Sequence, residues 1–436
     1  MNRAQLIRLG IFQMAAGGLS VLFLGVLNRI MRVELGIDLM VVSLLVGGGH
    51  YLGALVAIPF GHFSDTHHIA GYRRTVYILL GMALTATILA LSPWASHWLA
   101  TNTTPLHILA GFAFFLLEGI ATFVAGTAYL ALIADRTNSE ERGPAPGMVW
   151  TLMMIGIIFT GVGASLFMPT YGFERMVTLF AIGCIVALLF TIVALWRQEP
   201  RNQSNVQKSS ESLRTAVRML TRSQQSRRFA VYLIVGMLSY FMQDVILEPF
   251  GGEVFGLSLA ETTRFNTYMG IGVVLGMLMG GIRLIPRLGK QSVAAIGCWI
   301  MVMAFFGLAM SGFSQISSML VVVITLLGLG AGLFTVGSVS LMMDMTASKH
   351  TGLFVGAWTL VQAIAKGPAS LLSGSLHGSL LAIGALPGQA YGTVFALEGT
   401  GILVAILLLN RVPVSYTHLR AHETLRYLVC RLLLEK

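Results

Sequence analysis

Apolar runs of about twenty residues, broken by short polar segments, recur along almost the whole chain. Twelve can be marked, at 9–31, 39–60, 75–93, 106–134, 147–168, 175–196, 229–250, 265–286, 291–312, 317–343, 352–375 and 390–410. About 20 mainly apolar residues cross the hydrocarbon layer as a helix. A backbone in lipid has to satisfy its own polar groups, so the runs predict helices and not strands. One connection differs from the rest. Residues 197–228 are long, polar and basic, with eight Lys or Arg. They predict a linker between two six-helix units, 1–196 and 229–413, with a short amphipathic helix on the lipid surface as a second reading of its later part.

Composition removes one class outright. The chain is 56% hydrophobic and 11% charged, against about 25% charged residues in a soluble domain. A water-soluble enzyme is excluded. The net charge of +10 then points to loops facing anionic lipid, not to nucleic acid. With both termini cytoplasmic, the inner segments hold 18 Lys or Arg and the outer loops only Arg32, Arg175 and Arg264. That imbalance predicts an inside N terminus. Residues 414–436 change composition abruptly and read as a non-native tail, outside the fold.

The two units resemble each other. Asp135 precedes Gly143 by eight residues and Asp344 precedes Gly352 by eight, and each segment then reaches Trp-Thr-Leu. A weak internal repeat across a central linker is expected of transporter-type folds.

Between the second and third runs the chain reads Gly61-His-Phe-Ser-Asp65, then Gly71-Tyr-Arg73-Arg74. This resembles the loop motif of the major facilitator superfamily, with extra residues before the second glycine. The resemblance implies twelve transmembrane helices in two six-helix bundles, an all-α membrane protein. Gly61, Asp65, Gly71, Arg73 and Arg74 would form a gate or latch, with Asp135, Arg142 and Asp344 as neighbours. An acid there can accept bonds from Arg or from a helix N terminus. The matching loop of the second half, Gly281 to Lys290, keeps the basic end and lacks the acid.

A narrower resemblance follows. Leu9-Gly-Ile-Phe-Gln13, Leu24-Gly-Val-Leu-Asn28-Arg29, Ser64-Asp65, Gly71–Tyr77 and Gly352-Leu-Phe-Val-Gly356-Ala-Trp358 are similar to the PucC/LhaA family. The resemblance implies an assembly factor for light-harvesting antenna complexes. It implies (bacterio)chlorophyll, and possible carotenoid, as cargo, antenna subunits and lipid as partners, and a cell inner membrane or intracytoplasmic photosynthetic membrane as the location. The alternative is a secondary transporter of a small solute, proton-coupled through a buried acid such as Glu118. Catalysis is not expected, because there is no acid pair spaced for magnesium diphosphate and no nucleotide-binding loop.

Ionisable groups inside spans are costly and mark interiors or cavities. The candidate pigment or cavity residues are Asn28, Arg29, His50, Glu118, Gln362, Lys366 and Glu398. His50 follows Gly47-Gly-Gly, glycines that would leave room for a flat macrocycle. Lys366 needs a carboxylate or carbonyl, with Glu118 and Glu398 as candidates. Asp244 and Glu248 share a helix face towards the outer end, where a solvated or Arg-paired role is expected. His107 and His377 are expected at the outer surface. No metal-ligand cluster is expected.

Overall fold

The computed structural model describes residues 3–55, 67, 69–102, 104–136, 144–200, 224–344 and 351–412. Gly61, Asp65, Arg142, most of the basic linker and the 414–436 tail lie outside the described residues. Within them the chain forms α1 Ala4–Glu34, α2 Leu39–Leu55, α3 Thr75–Thr101, α4 Pro105–Arg136, α5 Pro144–Phe167 and α6 Phe173–Leu195. The second set is α7 Gln224–Phe255, α8 Leu259–Leu288, α9 Lys290–Ser314, α10 Leu320–Asp344, α11 Thr351–Ala382 and α12 Pro387–Leu409. Ten of these are long and apolar enough to cross a membrane; α2 is a shorter apolar helix, and α11 packs in the bundle over 32 residues. This is a multi-pass membrane protein.

Several helices outrun the lengths read from hydropathy. The third run predicted an end at Pro93, yet α3 continues through it to Thr101. Proline removes the bond to the carbonyl four residues back, here Leu89. Ser92 Oγ donates to that carbonyl at 2.6 Å, so the orphan is satisfied without water. The same problem arises at Pro249 in α7, which leaves the Val245 carbonyl open; Asn28 Nδ2 of α1 donates to it at 2.7 Å. The linker boundary also moves, because Gln224–Arg228 already belong to α7.

Each half closes around a buried tyrosine. Tyr129 of α4 donates to the Leu9 carbonyl of α1 at 2.9 Å, and Tyr232 of α7 meets Ser338 of α10 at 2.7 Å. The first and fourth helices of each half are thus joined in the same way, as an internal repeat requires. Polar links between the halves include Thr267 Oγ1 of α8 donating to the Ile158 carbonyl of α5 at 3.4 Å. The equivalent pair by the repeat, α2 and α11, packs so closely that a side chain at Gly374 would run into Ser43.

Candidate functional site

The N-terminal half carries a latch on the side of the chain termini. The first N–H groups of a helix have no internal partner and carry partial positive charge. At the start of α3, Glu199 supplies the missing acceptor. Its carboxylate takes the backbone N–H of Arg73 at 2.8 Å, Arg74 at 3.0 Å and Thr75 at 2.7 Å, and the Thr75 hydroxyl at 2.7 Å. The Arg73 and Arg74 guanidinium groups lie 3.8 and 3.6 Å from Asp135 of α4. Gly71 has φ +79°, which lets Ile69 and Tyr72 exchange two 3.0 Å backbone bonds. Asp344 ends α10, and its side chain is outside the described residues. The sequence grouped Arg73, Arg74 and Asp135 but missed Glu199, whose only signal was an acid in an otherwise basic segment.

On the opposite side the two halves are tied together. Arg29 reaches Glu34 at 2.5 Å and donates to the Leu257 carbonyl at 2.9 Å. Arg32 pairs with Glu253 of α7 at 2.8 Å, and Tyr391 of α12 donates to the other oxygen of that carboxylate at 2.6 Å. His377 lies against Tyr391 at 4.1 Å between tilted rings and is fully buried, with no hydrogen-bond partner for either ring nitrogen among the described residues. This corrects the expected surface position of His377: α11 extends to Ala382 and carries the residue inside. Asn28 and Arg29, expected near a cavity, serve this closure.

At mid-depth lies a second group. His50 Nδ1 of α2 meets Glu118 Oε2 of α4 at 2.5 Å. Glu118 Oε1 accepts from Thr122 at 2.8 Å, and Thr122 meets Thr85 of α3 at 3.0 Å. The helices approach closely enough for this because Gly53 and Gly119 face each other's backbones, where a Cβ at Gly119 would overlap the His50 carbonyl. Phe23, Tyr51 and Phe123 surround the imidazole, with centroids 5.0, 4.9 and 5.2 Å away. Among the described residues Nε2 has no hydrogen-bond partner, and it is not among the sealed polar atoms. The glycine run before His50 does not hold space open: Gly47 faces Ser370, Gly48 faces Leu371 and Gly49 faces the α4 backbone. Those glycines allow close helix packing.

The C-terminal half brings Lys366 to the same depth. Its ammonium lies 4.3 Å from the Phe241 ring centroid and 5.4 Å from that of Tyr51. Neither expected partner reaches it: Glu118 is committed to His50, and Glu398 is fully buried with no partner for either oxygen among the described residues. Asp244 couples to Lys366 electrostatically, without an ion pair inside 4 Å. Glu248 is buried and accepts from Asn266 at 2.7 Å, so the solvated or Arg-paired role expected for this acid does not hold. Gln362 is half-buried one turn before Lys366.

Residues 26–417 match the family described as PUCC protein. The chain belongs to that family. Among its relatives, a bacteriochlorophyll synthase 44.5 kDa chain of Rhodobacter capsulatus is 31% identical, over 94% of this chain and 95% of the relative. A protein PucC of Cereibacter sphaeroides is 29% identical over 93% and 91%. The structure of a D-xylose–proton symporter superposes with a TM-score of 0.69 at 16% identity, covering 94% of this chain and 97% of the symporter. The PUCC chain therefore has the major facilitator fold, and at that identity the likeness speaks for the fold alone. Within the PUCC fold, the latch, the closure and the mid-depth group sit at three levels of one bundle.

Proposed function

We propose that this PUCC protein is a non-catalytic membrane assembly factor for light-harvesting antenna complexes, which binds (bacterio)chlorophyll and hands it on. Family membership supports the assembly role, and one relative is named as a bacteriochlorophyll synthase chain. The observation that carries pigment binding is the His50–Glu118 pair. A histidine that ligates a metal through one ring nitrogen commonly gives the other to a carboxylate, which fixes the tautomer and raises ligand basicity. Here Glu118 holds Nδ1 and, among the described residues, Nε2 has no partner, beside three aromatic rings. With that donor set, His50 would hold the magnesium of such a cargo and Glu118 would keep the imidazole oriented.

The test is the absorption spectrum of the detergent-purified protein expressed in a pigment-making host. Bound pigment, reduced on His50→Phe with folding intact, is the expected result. A colourless, well-folded wild type would overturn pigment binding, and gradient-driven solute uptake by it would favour the transporter reading.

A further inference from the structure

The mid-depth group contains donors in search of an acceptor. Lys366 can give three N–H bonds, yet among the described residues its ammonium has no hydrogen-bond acceptor and rests on two ring faces. The residue is half-buried midway along α11. The hydroxyl of Tyr51, whose ring neighbours both Lys366 and His50, is buried and has no hydrogen-bond partner among the described residues. Glu118 and Asp244, the nearby acids, are engaged by His50 and by Gln243 at 2.5 Å.

An ammonium so placed gains most from an oxygen acceptor brought by a ligand, since donors left unmade in a low-dielectric interior are costly. His50 belongs to the first half and Lys366 to the second, and both lie within 5.4 Å of the Tyr51 ring centroid. The imidazole and the ammonium thus neighbour the same ring, near enough for one tetrapyrrole-sized ligand to reach both. We propose that Lys366 donates a hydrogen bond to a peripheral carbonyl oxygen of the pigment whose magnesium faces His50. This rests on the pigment reading above and adds to it: each half grips a different part of one ligand, so cargo occupancy bears on how the halves sit together. The chemistry required is a ring ketone or a side-chain ester or acid, on a macrocycle that also carries the metal.

The experiment titrates bacteriochlorophyll a into the purified full-length protein and records affinity and the resonance Raman carbonyl bands. Wild type, Lys366→Met, Lys366→Arg and His50→Phe are compared, with folding checked by gel filtration. In wild type one carbonyl stretch should fall below its frequency in detergent alone; which stretch moves identifies ketone or ester. Lys366→Met should lose that shift and bind about tenfold more weakly, the scale of one charged hydrogen bond. Lys366→Arg should recover much of both. His50→Phe should lose the axial-ligand marker while a residual carbonyl shift stays. Carbonyl bands and affinity unchanged within twofold in Lys366→Met would overturn the Lys366 role and leave pigment binding standing. Failure of wild type to take up pigment would overturn both.

Discussion

Asn28 in α1 donates to the Val245 carbonyl in α7, 217 positions away, at the one place where Pro249 prevents α7 from using that carbonyl itself. The bond thus repairs one helix and joins two halves. Asn28→Ala should lower stability by about 1–2 kcal/mol, read as a drop in the melting temperature in detergent. Adding Pro249→Ala restores an N–H to α7 and should return part of the loss. A double variant no more stable than Asn28→Ala would refute this account.

The Arg32–Glu253–Tyr391 chain closes the side away from the termini. The ion pair keeps some exposure, 15% and 19% for the two side chains, so Glu253→Gln should cost only about 1 kcal/mol. A larger effect is expected on access. Ser373 of α11 is fully buried, and a Ser373→Cys probe should react faster with an impermeant maleimide once Glu253 is changed. Equal labelling rates would show that the chain does not hold the closure.

Glu199 makes four bonds at the α3 N terminus, whereas Asp135 meets its arginines only at 3.6–3.8 Å. Glu199→Gln should therefore cost about 1–2 kcal/mol, and Asp135→Asn less. The order of the two melting temperatures decides it.

Glu118→Gln keeps the shape of the pair and removes its charge. If Glu118 orients His50 for a metal, pigment affinity should fall about 10–100-fold with little change in melting temperature. Unchanged affinity would assign Glu118 to helix packing alone.

Much of the architecture was legible because lipid permits few solutions: the helical spans follow from hydropathy and the likeness of the two sets from spacing. Among side chains, the sequence singled out His50 and Glu118 separately and could not pair them across 68 positions. Their meeting depends on Gly53 and Gly119 bringing two helices together. Glu248 misled because its place near the outer end suggested solvent or an Arg partner, whereas it is buried and bonded to Asn266. Glu253 and Tyr391 gave no signal, since a lone acid near a helix end and an aromatic near a membrane face are ordinary. Hydropathy locates helices but does not say how each is rotated.

Glu199 and Arg228 have a joint consequence. Glu199 is fastened to the α3 N terminus of the first half, and Arg228 donates to the Arg411 carbonyl of the second at 3.2 Å. The inter-half tether is thus moored near both ends, and slack cannot be drawn from either helix. The number of residues between Glu199 and Arg228, at about 3.3–3.6 Å each when fully stretched, sets an upper bound on how far those two anchor points can part. Progressive deletion within it should leave the resting form untouched until a threshold length, and then abolish the widest excursion in one step.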